Sequence, residues 1–194
     1  AIVSLLLEHG ADVNILTAEA YGGLSALWLA ASTGETEVVR LLLSAGGDPN
    51  QARLADGITP LMAAAAGGHS QAAQELLQAG AAVDIRDNDG VTAVLNVAES
   101  GDLKTLQLLV AAGADINYMS NNNFSPLIVA CAHGHFDIIS ALIDAGADVN
   151  MPHPDGVSPL MYAAANGKRP DAVGLLLASG AEVDKKHSQG GTAL

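Results

Sequence analysis

Hydrophobic positions along this chain fall into two kinds of stretch, and both recur on one beat. The first kind is rich in Leu and closes on glycine: Leu5-Leu6-Leu7-Glu8-His9-Gly10, Leu41-Leu42-Leu43-Ser44-Ala45-Gly46, Leu76-Leu77-Gln78-Ala79-Gly80, Leu108-Leu109-Val110-Ala111-Ala112-Gly113, Leu142-Ile143-Asp144-Ala145-Gly146 and Leu175-Leu176-Leu177-Ala178-Ser179-Gly180. The closing glycines stand 36, 34, 33, 33 and 34 residues apart. Within a stretch the apolar residues fall at helical spacing, as in Val38, Val39, Leu41 and Leu42, so each predicts an amphipathic helix with a left-handed glycine cap. The second kind opens on Leu24-Ser25-Ala26-Leu27, Ile58-Thr59-Pro60-Leu61, Val91-Thr92-Ala93-Val94, Phe124-Ser125-Pro126-Leu127 and Val157-Ser158-Pro159-Leu160. Here Ser or Thr caps a helix and Pro or Ala takes its first position, where a missing N–H costs nothing. The short helix that follows is Ala-rich, as at Ala63 to Ala66 and Ala163 to Ala165, and breaks at Gly34, Gly68, Gly101, Gly134 and Gly167.

The two kinds alternate as helix pairs, and a turn of Ala-Asp-Val-Asn type carries the chain from one pair to the next. Units such as Gly113-Ala114-Asp115-Ile116-Asn117 and Gly146-Ala147-Asp148-Val149-Asn150, with their Ser-Pro-Leu and Ala-Ala-x-x-Gly-His companions, resemble ankyrin repeats, whose period and helix-pair architecture match. The resemblance covers essentially the whole chain in about six units, four of them complete. It implies an all-α fold, an α-solenoid of helix-turn-helix units with projecting β-turn fingers. The chain reads as a single array, 1–194, with a partial repeat at 1–19, repeats at about 20–53, 54–86, 87–119, 120–152 and 153–186, and a partial repeat at 187–194.

The sequence departs from the family pattern in several places. The family's Thr-Pro-Leu-His histidine is replaced by Trp28, Met62, Leu95, Ile128 and Met161, so a polar network is expected to give way to apolar packing. The first finger, Ile15 to Gly23, runs about three residues longer than the later ones, and Lys168-Arg169-Pro170 carries an insertion between helices. Ala1 to Glu8 reads as a second helix without its first, and Gly191-Thr192-Ala193-Leu194 as a helix just begun. Solenoids end in polar caps, so the chain is expected to belong to a longer array or to pack its ends against something else.

Composition narrows the function. Hydrophobic residues make up 49% but aromatics only 3%, which suits thin, closely stacked helices and excludes an aromatic-rich sandwich. The 21 acidic residues outnumber 8 Lys and Arg, for a net charge of -13. Phosphate binding needs clustered cations, so direct nucleic-acid contact is not expected and a neutral to basic partner is. No apolar run approaches the roughly 18 residues of a membrane span, so no membrane insertion is expected. A single cysteine, Cys131, permits no internal disulfide and points to a reducing, intracellular compartment, the cytoplasm first.

No chemistry survives the repeat explanation, and neither enzyme activity nor a cofactor is expected. Asp87-Asn88-Asp89-Gly90 suggests a calcium loop, but its first and twelfth ligand positions would be Ile85 and Asn96. Cys131, His133 and His135 offer three soft ligands, one short of a zinc site; His135 holds the family's inter-helix turn position and Cys131 a packing face. Gly167-Lys168 lacks the upstream glycine of a phosphate loop. Asp12, Asp48, Asp115 and Asp148 read as turn acceptors. Asn14, Asn50, Asn117 and Asn150 each follow a Leu by eight residues, a setting that in similar proteins suits an asparagine hydroxylase; their reading here is as finger-base hydrogen bonders.

Binding is then expected on the finger tips and the open face of the first helices, the side that ankyrin-like arrays use. The candidates are Tyr21; Arg53; Asp87, Asn88, Asp89 and Glu99; Tyr118, Met119, Asn122, Phe124 and His133; and Met151, His153, Asp155, Tyr162 and Asn166. Tyr118, Met119, Phe124, Met151 and Tyr162 put large groups where interfaces find anchors. Packing between repeats is the other reading of Phe124 and Tyr162, as is cover of a hairpin base for Met151, and for Trp28 packing is the preferred one. Two functions stay open: a non-catalytic scaffold that binds a protein or peptide, and a regulatory or structural segment of a larger enzyme, channel or multi-subunit assembly.

Overall fold

The computed structural model describes residues 2–167 and 170–193, so the Lys168-Arg169 insertion, Ala1 and Leu194 lie outside the described residues. Among these, eleven α-helices follow one another: α1 Ile2–Glu8, α2 Ala26–Ser32, α3 Thr36–Ser44, α4 Pro60–Ala66, α5 Ser70–Gln78, α6 Ala93–Ser100, α7 Leu103–Ala111, α8 Pro126–His133, α9 Phe136–Asp144, α10 Pro159–Asn166 and α11 Pro170–Ala178. The even-numbered helices from α2 to α10 stack on one another as an inner layer, and the odd-numbered ones form an outer layer behind them. One isolated bridge, Leu16 to Ser25, is the sole β pairing among the described residues.

Hydroxyl caps start the inner helices. Ser25, Thr59, Ser125 and Ser158 each accept from the amide three residues on, at 3.0, 3.2, 3.3 and 3.3 Å. Thr92 departs from the expected pattern: its side chain makes no cap bond and its buried Oγ1 has no partner. The backbone differs with it: Thr92 has φ -110°, whereas the four working caps lie between -81° and -93°. Two near-isosteric changes should therefore have opposite signs. Thr59→Val is expected to destabilise by about 1 kcal/mol, the worth of a cap. Thr92→Val is expected to stabilise by up to about 1 kcal/mol by removing a buried hydroxyl with no partner. Paired urea melts check this, and equal losses from both would contradict it.

Side chains in corresponding positions of successive repeats stack into columns. Leu27, Leu61, Val94, Leu127 and Leu160 line the inner layer's buried side, and Leu42, Leu76, Leu109, Leu142 and Leu176 the outer layer's, all at most 4% exposed. A small-residue column, Ala31, Ala65, Ala98 and Cys131, lies between them at no more than 1% exposure, and lets backbones approach. The positions that lack the family's histidine are only partly apolar in effect. Leu95 and Ile128 are plain core, but the Thr59 amide donates to Met62 Sδ at 3.4 Å and the Ser158 amide to Met161 Sδ at 3.5 Å. The thioether thus closes a weak capping box.

Polar links tie each repeat to the next at three levels. At the finger base, Asn14, Asn117 and Asn150 accept from the amides of Asp48, Asp148 and Glu182 and donate to the carbonyls of Gly46, Gly146 and Gly180. Asn50 accepts from Ala82 in the same way, and Asp84 from Asp115. At the ends of the inner helices, His69 donates to Ser32 O, Ser100 to Ala65 O, His135 to Glu99 O, and Asn166 to Cys131 O and Ala132 O.

The third level is the fingers, narrow hairpins closed by bonds such as Asp87 N–H to Val91 O and Ser120 N–H to Phe124 O. Main-chain bonds join finger to finger: Ala55 to Gly22 O, Asn88 to Asp56 O, Asn121 to Asp89 O and Ser188 to Asp155 O. Between the fourth and fifth fingers the equivalent donor would be residue 154, which is Pro154 and has no N–H. There the His153 Nε2–H reaches Asn122 O instead, at 3.2 Å.

Candidate functional site

The corner between fingers and inner helices holds a hollow of about 400 Å³. Leu95 and Glu99 of α6 form one side and Val129, Ala132 and His133 of α8 the floor; Val91, Ser120, Asn122 and Phe124 come from the fingers, and Tyr162 from α10. Residues 95 and 99, and 129 with 132 and 133, share the side of their helix that borders the hollow, because helix neighbours lie three and four apart. Phe124 stands edge-on to Tyr162, with ring centroids 6.3 Å apart, and tilts against His153 at 5.3 Å. It is partly buried, so inter-repeat packing and an open ring face coexist at this residue. The His133 Nδ1–H donates to Val129 O at 3.0 Å, and its ring stacks on His135 at 5.9 Å.

Of the expected binding residues, the hollow gathers Glu99, Asn122, Phe124, His133 and Tyr162. The others are spread around it. Asp87, Asn88 and Asp89 form the third finger tip, where Asp87 Oδ1 accepts from the amides of Asp89 and Val91 at 2.9 and 2.8 Å. Tyr118 lies under the Arg86 guanidinium, 3.9 Å from ring centroid to Cζ. Met119 and Met151 are partly buried, and Asp155 is exposed beside His153. Asn166 spends its amide on two carbonyls of α8, and its Oδ1 is buried without a partner. Tyr21 is 77% exposed on a single 3-10 turn, Glu19–Tyr21, in the long first finger.

Arg53 belongs to a second hollow, of about 380 Å³, lined by Trp28 and Ser32 of α2, Met62, Ala63, Ala66 and Gly67 near α4, Asn96 of α6, and Ile58. The Arg53 guanidinium lies 4.5 Å over the Trp28 ring and pairs with Asp56, its Nε 2.8 Å from Oδ1. That hydrogen bond holds the Asp56 carboxyl below the usual carboxylate range. Sequence reasoning took Trp28 as packing and did not select Met62, Asn96, Leu95, Val129 or Ala132. The signal that finds Met62, Leu95 and Val129 is an i, i+4 spacing on the side of the inner helices that borders the hollows, as in 62 and 66, 95 and 99, and 129 and 133.

Charge on this surface is one-sided. Helices α2, α4, α6, α8 and α10 carry no Lys or Arg, and their one carboxylate is Glu99. Cys131 is 1% exposed, and burial pushes its thiol up to about 12, which favours the protonated thiol near neutral pH. Among the described residues no group of three or more His, Cys, Asp or Glu is placed to hold a metal ion, and no helix is long and apolar enough to cross a membrane.

Layered helix pairs with an edge of stitched hairpins define a repeat solenoid. The sequence profile of ankyrin repeats in three copies matches residues 1–53, 46–120 and 94–187, and the chain belongs to the ankyrin repeat family. An ankyrin repeat-containing protein of Schizosaccharomyces pombe is 43% identical over 61 residues, covering 31% of this chain and 29% of that protein. The chain thus matches less than a third of the length of that relative. Ankyrin repeats are generally protein–protein interaction modules and typically non-catalytic.

Proposed function

We propose that this chain is a non-catalytic interaction module that takes a neutral to basic protein or peptide segment on its finger and inner-helix face, centred on the Phe124 hollow. The observation that carries the reading is an apolar hollow of about 400 Å³ on a face whose inner helices bear no Lys or Arg. Such a face welcomes an apolar anchor and repels acidic flanks, while Glu99 and the exposed Asp89 and Asp155 steer basic ones. Links at three levels fix the surface before a partner arrives, so docking loses little entropy. The proposal includes an intracellular, cytoplasmic location, supported by the single buried thiol.

The test is an extract pull-down read by mass spectrometry, with wild type against Ala132→Lys. Ala132 is exposed on the hollow's floor, so a long cationic side chain there fills the hollow while circular dichroism stays unchanged. Ala132→Lys is cleaner than Phe124→Ala, which would also free the rings of His153 and Tyr162. A binder with a basic segment, lost selectively from the variant by tenfold or more (about 1.4 kcal/mol), is the expected result. If the same assembly is recovered with both proteins, the chain is held by other surfaces, as a structural segment of a larger complex would be.

A further inference from the structure

The Trp28 hollow and the Phe124 hollow lie in register on one face. The first is centred on α4 and reaches Asn96; the second is centred on α8 and begins at Leu95 and Glu99. Helix α6 is thus their shared wall, and the centres are two inner helices apart. At 8–10 Å between helix axes this is about 16–20 Å, which an extended chain rising about 3.3 Å per residue covers in five or six residues.

We propose that the two hollows are paired anchor subsites for one extended peptide, whose two large apolar side chains lie five or six positions apart with Lys or Arg between them. This rests on the reading of the Phe124 hollow above and adds the second subsite, the spacing and the charge order. Apolar anchors suit both hollows, since Met62, Ala63 and Ile58 line one and Leu95, Val129 and Ala132 the other. The basic requirement falls between them because Glu99, on the shared helix, and Asp89, on the finger above it, are exposed. Among the described residues Arg53 is the one Lys or Arg that lines either hollow, and it is already held by Asp56, so it offers little to an acidic residue at that end. Arg53 over Trp28 instead closes the rim of the first subsite. Two linked anchors gain from effective concentration, so the pair binds far more tightly than either alone.

The experiment is a display selection from a randomised peptide library on the intact chain, counter-selected against the Ala66→Lys/Ala132→Lys double variant. Both alanines are exposed on the hollow floors, so these variants keep the core. Selected peptides are then measured by fluorescence anisotropy. The expected consensus has two large apolar residues about five or six apart with a basic residue between, and each single Lys variant weakens binding at least tenfold. Moving the anchors two residues closer or further apart should cost a similar factor. A consensus with one anchor and sensitivity to Ala132→Lys alone would overturn the paired subsites and leave the Phe124 hollow as the binding site. No enrichment, or indifference to both variants, would overturn this proposal and the functional reading with it.

Discussion

Leu106→Ala is expected to lower the unfolding free energy by about 3–4 kcal/mol, the cost of removing a fully buried leucine and leaving its cavity. Leu106 is 0% exposed and sits in α7, with α5 on one side and α9 on the other. Its helix therefore takes part in two interfaces at once. In a solenoid, stability is close to a sum of repeat terms and nearest-neighbour terms, so a cavity at the middle of the stack weakens the coupling of both halves. The urea midpoint should fall by about 1–2 M, taking a slope near 2–3 kcal/mol/M. Leu177→Ala, at a position 41% exposed, should cost under about 1 kcal/mol. A midpoint shift with unchanged slope would mean that the array still unfolds as one unit. A reduced slope would mean that the halves have come apart. Similar losses at positions 106 and 177 would contradict the difference in burial on which the prediction rests.

The second large effect is expected at a finger tip. Gly90 has φ +72°, and a Cβ there would stand 2.5 Å from Asn121 Oδ1 and 2.9 Å from the Asn121 main-chain nitrogen. That nitrogen donates to Asp89 O, and the Asn121 side chain donates to Asn88 O. Gly90→Ala thus carries a left-handed penalty of about 1–2 kcal/mol and pushes directly on the joint between the third and fourth fingers, for about 1–3 kcal/mol more. Gly80→Ala isolates the first part, because Gly80 has φ +87° and open space around its Cβ. Equilibrium unfolding of both variants, with hydrogen exchange at the Asn121 amide, separates the two contributions. Equal destabilisation, or an Asn121 amide as protected as in the wild type, would contradict this account.

The helix pairs were legible in the sequence because each rests on a local rule that tertiary context reinforces. Helical spacing, hydroxyl caps, Pro at the first position and glycine at the end all point to the same elements at Thr59, Pro60 and Gly80. Thr92 shows the limit of such a rule: the residue type is right for a cap, yet its side chain makes no cap bond. The asparagines of the finger base were also readable, because their role is the same in each repeat.

The open face was harder to read. Phe124, Tyr162 and Glu99 stand out by residue type, but Ala132, Val129 and Leu95 are ordinary residues that gain meaning from the hollow they surround. Tyr118 illustrates the converse. It stands out by size, but its contact does not: one of its faces is covered by Arg86, a partner from the preceding repeat. The replacement of a main-chain link by His153 needed the register of neighbouring fingers, which a single line of sequence shows only once the hairpins are aligned.

That substitution makes one joint in the row of fingers different in kind from the rest. The other joints described each have a peptide amide as donor, which every residue except proline supplies, so that bond survives most side-chain changes at the donor position. The joint after Asn122 is fastened by an imidazole, which a single codon change removes or replaces. Evolution can therefore adjust this one joint, and with it the imidazole on which the Phe124 ring rests, while the helices behind it stay as they are.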